Sequence, residues 1–187
     1  MKNRCILNLQ ENGLLILKAL KFFTDNPYYE VYLREFGRKI RISPNSAQRF
    51  LNLFLKQGFI LEFWKGNLRY FKANLGSIVF RNIKITFSLK KIEDSGLIDI
   101  LKENFSNVVL FGSVSKGTDD IGSDIDLVCI GIKKGIDTSE FEKKLGREIN
   151  LHAFTLAQWK EQKKENKAFY QDVITGINLI GEIPIID

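Results

Sequence analysis

The chain has 187 residues, 44% of them apolar and 15 of them Phe, enough for one sizeable core or two small ones. It carries 28 Lys/Arg against 22 Asp/Glu, but the charge is split: residues 1–91 hold 17 basic and 5 acidic side chains, a balance of +12, and residues 92–187 hold 11 and 17, a balance of −6. No run of eighteen apolar residues is present and the start, Met1-Lys2-Asn3-Arg4, lacks a secretory pattern, so a cytoplasmic protein with no membrane partner is expected. A single histidine, His152, argues against zinc chemistry and a Ser-His-Asp triad, and Cys5 and Cys129, each among aliphatic residues, read as buried thiols without a disulfide.

In chain order, the apolar spacing of residues 7–24 fits an amphipathic helix stopped by Asp25-Asn26-Pro27. Tyr29 to Phe36 predicts a second helix ending near Gly37. Ser43 is a good cap, with Pro44 at the first helical position, and a third helix runs to Gln57, closed by Gly58. Its stripe Ala47, Leu51, Phe54 and Leu55 faces a core, while Asn45, Ser46, Gln48, Arg49 and Asn52 lie opposite, all able to bond base edges and phosphates. Phe59–Trp64 and Leu68–Ala73 then form two strands joined at Lys65-Gly66-Asn67, a hairpin signal.

Leu75–Leu89 reads as a linking helix, followed by a helix over Gly96–Glu103 capped by Asp94 or Ser95. Val108–Phe111 is an apolar strand, and Gly112-Ser113 with Lys116-Gly117 makes a small-residue loop that lets backbone approach a phosphate closely. Asp124 and Asp126 flank Ile125 in a second strand, Ile125–Ile130, on one face because strand side chains alternate. Two such carboxylates repel unless a cation lies between them, and a hard divalent ion shared with substrate phosphates answers that, Mg²⁺ by default or Mn²⁺. This is the arrangement of a nucleoside-triphosphate site. A helix over Asp137–Leu145, a strand over Arg147–Phe154, a charged helical stretch Glu161–Lys167, a helix Phe169–Ile174 and a glycine-interrupted segment Gly176–Gly181 complete the chain.

Gly112, Ser113, Gly117, Ser123, Asp124, Asp126 and Leu127 resemble the signature of minimal nucleotidyltransferase domains of the DNA polymerase beta-like superfamily, over roughly Leu97 to the end of the chain. The phrase from Ile42 to Ile60 is similar to the recognition region of winged helix-turn-helix regulators. The fold class implied is α+β: a winged helix-turn-helix domain over 1–75, a connecting helix over 76–95, and a nucleotidyltransferase α/β domain with a small mixed sheet over 96–187. The resemblance implies Mg²⁺-dependent transfer of a nucleoside monophosphate to a hydroxyl. Ser113, the loop amides and Lys116 would hold phosphates, and Asp124 and Asp126 a metal, with ATP the default nucleotide. The family's third carboxylate aligns with Asn150, an amide, and Glu148, two residues earlier on the same strand face, is the one candidate to replace it. Such domains often act as the antitoxin half of toxin–antitoxin pairs, which adds a small helical partner protein, and a homodimer is compatible. The alternative is a nucleotide-sensing regulator with a weak or inactive transferase. For the basic half, the resemblance leaves DNA contact through the third helix, Lys65 and Arg69 beside a protein-contact role.

Overall fold

A computed structural model describes residues 2–131 and 135–186, with backbone alone for residues 2–12, so the expectation for the Cys5 side chain lies outside the described residues. The chain divides into two compact units, Met1–Lys84 and Ile85–Asp187.

The first unit runs α1 (Lys2–Asp25), β1 (Val31–Tyr32), α2 (Leu33–Ile40), α3 (Pro44–Lys56), β2 (Ile60–Lys65) and β3 (Leu68–Ala73), with the strands in the order β1-β3-β2. Ser43 caps α3 as expected: its hydroxyl accepts from Ser46 N at 3.2 Å, with Pro44 opening the helix. The hairpin pairs Lys65 with Leu68 around Gly66, whose φ of +56° suits a residue without Cβ. Phe23, Phe36, Phe50, Phe54 and Phe71 fill the core. The helix expected over Tyr29–Phe36 is corrected. Val31 and Tyr32 pair with Phe71 and Tyr70 of β3, the Tyr32 and Tyr70 rings lie 5.8 Å apart, and α2 starts only at Leu33. A β-branched and an aromatic residue suit a pleated edge once a partner strand exists.

The unit boundary falls within α4 (Ile78–Ser95), which begins and ends later than the linking helix read from sequence. The second unit continues with α5 (Leu97–Asn104), β4 (Phe105–Phe111), α6 (Gly112–Lys116), β5 (Ile125–Gly131), α7 (Ser139–Leu145), β6 (Ile149–Phe154), α8 (Leu156–Glu165), α9 (Lys167–Ile174) and β7 (Ile177–Ile180). Its sheet has the order β6-β5-β4-β7, with β5 and β6 parallel and the other pairs antiparallel, a mixed sheet as expected. Alternation splits the strands cleanly. Val108, Leu110, Ile125, Leu127, Cys129 and Ile149 pack on one side with Leu97, Leu101 and Phe141. Val109, Phe111, Val128 and Ile130 pack on the other with Trp159, Tyr170 and Val173 of α8 and α9.

Helix α8 begins earlier than the charged stretch from Glu161. Thr155 and Gln158 form a capping box, in which the Thr155 hydroxyl accepts from Gln158 N while the Gln158 side chain accepts from Thr155 N. The glycine-interrupted closing segment becomes the edge strand β7. Gly176 is needed there because a Cβ would fall 2.5 Å from the Leu110 carbonyl oxygen. Among the described residues no helix is long and apolar enough to cross a membrane.

Candidate functional site

The face of the second unit's sheet that α8 and α9 cover gathers its acidic residues, Asp124 and Asp126, at one end. There β4 runs into α6, and β5 and β6 begin. Phe111 pairs with Asp126 and Asp126 with Asn150, so the last residue of one strand and the second residues of two others stand in a row. Ile125 N donates to the Glu148 carbonyl at 2.9 Å, which sets the β5–β6 register from its first rung.

The Asn150 Nδ2 group lies 3.1 Å from Asp124 Oδ2 and 3.1 Å from Asp126 Oδ1. Ionised carboxylates only accept, so the group between them is the amide nitrogen, and each of its hydrogens meets one acid. All three side chains are half-buried.

Gly112 closes the site from the β4 side. Its φ is +70°, and a Cβ built on it would sit 2.4 Å from Asp126 Oδ2, so the carboxylate lies directly against the glycine backbone. The loop expected at Gly112–Gly117 is in fact one turn of helix, α6, ended by Gly117 in the left-handed region. Ser113 sits in this turn, and its carbonyl accepts from Thr118 N at 3.1 Å. Lys116, at the end of α6, pairs with Asp172 of α9, so its charge is already partly matched. Ser123 ties its own loop: its hydroxyl accepts from Asp120 N at 2.9 Å and donates to Asp120 Oδ1 at 3.0 Å. That bond, followed by the one from Gly122 N, holds the Asp120 carboxyl below its ordinary pKa.

Sequence reasoning missed the Arg147–Asp119 pair. Asp119 is 1% exposed, with Arg147 Nη1 2.8 Å from its Oδ2; the contact is at ion-pair distance but off the line of an N–H. Arg147 Nη2 also donates to the Asp120 carbonyl at 2.7 Å. Arg147 precedes β6 and Asp119 precedes the Asp124 loop, so this pair fastens the loop to the strand that carries Asn150. Neither residue belongs to the signature, so the sequence carries no signal that singles the pair out.

Glu148 is exposed just before β6. Among the described residues no three His, Cys, Asp or Glu side chains stand close enough to share a metal ion. The donor set therefore fits one hard divalent ion held by Asp124 and Asp126, whose oxygens already converge on one point, with its remaining ligands from phosphate or water. His152 follows Asn150 on the same face, exposed, with its ring 5.9 Å from Phe111 and 5.6 Å from Phe169.

In the first unit, Asn45, Ser46, Gln48, Arg49 and Asn52 all lie on α3, with Asn45, Arg49 and Asn52 exposed and Gln48 Nε2 donating to Asn52 Oδ1 at 2.9 Å. Lys65 pairs with Glu30 and Arg69 with Glu62, so each of these two cations already has an acidic neighbour. A groove of about 920 Å³ between α2, α3 and the hairpin is lined by Arg34, Arg38, Arg41 and Arg69 over Leu33, Ile42 and Pro44. Arg41 holds φ +56°, the only described residue other than glycine in that region. Arg34 escaped the sequence reading because it belongs to no motif.

A family model described as the nucleotidyltransferase domain matches residues 94–176, somewhat less than half of the chain. No curated protein and no solved structure matches it.

Proposed function

We propose that residues 94–176, similar over their length to a nucleotidyltransferase domain, bind a nucleoside triphosphate and transfer its nucleoside monophosphate to a hydroxyl. The observation that carries this reading is the convergence of Asp124 Oδ2 and Asp126 Oδ1 on one point, with the other oxygen of Asp126 lying against Gly112. The Ser113 hydroxyl and the amides of the α6 turn bind the terminal phosphates, and Gly112 gives them close access. The acceptor oxygen attacks the α-phosphorus, the bond to the β-phosphate oxygen breaks, pyrophosphate leaves and the hydroxyl proton passes to water. A divalent ion, when bound at Asp124 and Asp126, would neutralise charge on the phosphates. Mg²⁺ and ATP are the natural ion and nucleotide, and a Tyr, Ser or Thr hydroxyl of a small helical partner protein, in a toxin–antitoxin relationship, is the acceptor class.

A second reading is favoured by one observation: Asn150 gives the acids an amide instead of a third carboxylate. The domain is then a nucleotide sensor with weak transfer. The helix–strand–helix–helix–strand–strand order of the first unit supports a winged helix-turn-helix, with α3 in the major groove and the arginine groove on phosphates.

One experiment separates the readings. Purified protein is incubated with Mg²⁺, each labelled triphosphate and a cell extract as the source of acceptor proteins, and pyrophosphate and labelled protein are measured against the extract alone. Release of pyrophosphate with label on protein supports transfer; nucleotide retained without release supports sensing; no nucleotide bound under any condition overturns both.

A further inference from the structure

We propose that Asn150 makes this a one-ion site whose ion enters with the nucleotide, because its amide already occupies the place between Asp124 and Asp126. The inference rests on the nucleotide-binding reading above and concerns the one position where the chain departs from the signature it resembles.

Both hydrogens of the Asn150 amide are spent, one on each acid, at 3.1 Å. Hydrogen bonds to a charged acceptor are stronger than neutral ones. Two half-buried carboxylates that would otherwise repel are thereby bridged by the amide. A carboxylate at position 150 would do the reverse, adding a third negative charge and making the site depend on cations. Because the nitrogen is the atom turned to both acids, the amide can offer its oxygen to an ion between them only after the side chain turns over. A free ion entering between Asp124 Oδ2 and Asp126 Oδ1 must therefore displace two charge-assisted bonds for only two anionic ligands. A triphosphate brings the missing negative oxygens, so ion and nucleotide arrive as one complex. Glu148 does not alter this balance, since it is exposed and forms no three-carboxylate cluster among the described residues.

The test is a Mn²⁺ titration followed by electron paramagnetic resonance, with and without a non-hydrolysable triphosphate, on the wild type and Asn150→Asp. The wild type is expected to bind no Mn²⁺ tightly alone and one ion per chain with nucleotide. Asn150→Asp is expected to bind Mn²⁺ alone at least about tenfold more tightly and to take a second ion with nucleotide. Its metal-free melting temperature is expected to fall and to recover on adding Mn²⁺, a response that a purely structural asparagine would not give. Two ions in the wild type overturn the proposal, and that measurement needs no variant. Equal free-ion affinity in the two proteins also overturns it. If neither protein binds metal with nucleotide, the nucleotide-binding reading itself fails and the proposal with it. Binding of one ion by both variants, by contrast, overturns the proposal and leaves that reading standing.

Discussion

Gly112 and Asp126 touch so closely that a Cβ on the glycine would lie 2.4 Å from the carboxylate oxygen. The contact leaves no room for a side chain at position 112. For Gly112→Ala, the left-handed backbone alone costs roughly 1–2 kcal/mol, and the clash is relieved only by turning Asp126 away from Asp124. The variant is expected to fold with a lowered melting temperature and to lose metal-dependent nucleotide binding. Unchanged nucleotide affinity, measured by calorimetry, would contradict the site.

Asp126→Asn separates charge from shape. An amide oxygen at this position can still accept from Asn150, so the melting temperature should stay near that of the wild type. The charge at the centre of the cluster is gone, and metal-dependent nucleotide binding is expected to vanish.

Arg147→Met should loosen the loop that carries Asp124. Removing one partner of a buried ion pair costs on the order of 3 kcal/mol, and Asp119 is 1% exposed. The expected outcome is a clear loss in denaturant midpoint, together with faster proteolysis between α6 and β5. A midpoint equal to that of the wild type would mean the Arg147–Asp119 pair contributes little.

Burial pushes the Cys129 thiol up to about 12 from an ordinary 9.0. The folded state therefore holds the proton more tightly than the unfolded one. This contribution to stability is fully present below pH 9 and is lost as pH rises from there toward about 12. In a Cys5→Ser background, the thiol is expected to resist a disulfide reagent at pH 8 until denaturant is added. Comparing denaturant midpoints of that protein with its Cys129→Ala derivative at increasing alkalinity isolates the thiol's share. A parallel pH dependence in both would contradict the assignment.

Arg49→Ala is expected to weaken binding to a preferred DNA sequence by roughly 1–3 kcal/mol, the worth of a base-edge contact. Arg34→Ala and Arg41→Ala should instead lower affinity for all sequences alike and flatten the salt dependence, as loss of phosphate contacts does. Fluorescence anisotropy at several salt concentrations reads both effects. Wild-type protein with no DNA affinity at low salt would leave α3 a protein-contact surface.

Much of this was legible in the sequence where the cause was local. The Ser43-Pro44 cap, the Lys65-Gly66-Asn67 turn and the alternation of Ile125–Ile130 all act within a few residues, and each produced the expected element. The second helix was misread because Val31 and Tyr32 take their conformation from β3. The ion pair of Lys116 with Asp172 was not legible either, because its partner lies far along the chain.

The residues by themselves determined which chemistry the chain can hold: two acids two apart on a strand, a glycine turn before them, and a basic half ahead of an acidic one. They also determined that position 150 is an amide. Only the tertiary structure decided what that amide does, because whether it offers nitrogen or oxygen depends on acids that β5 brings beside β6. The same holds for the buried Arg147–Asp119 pair and for the contact between Gly112 and Asp126. Short-range backbone preferences are written residue by residue, whereas the partner of a charge is set by strand register, and register is fixed only when the whole sheet packs.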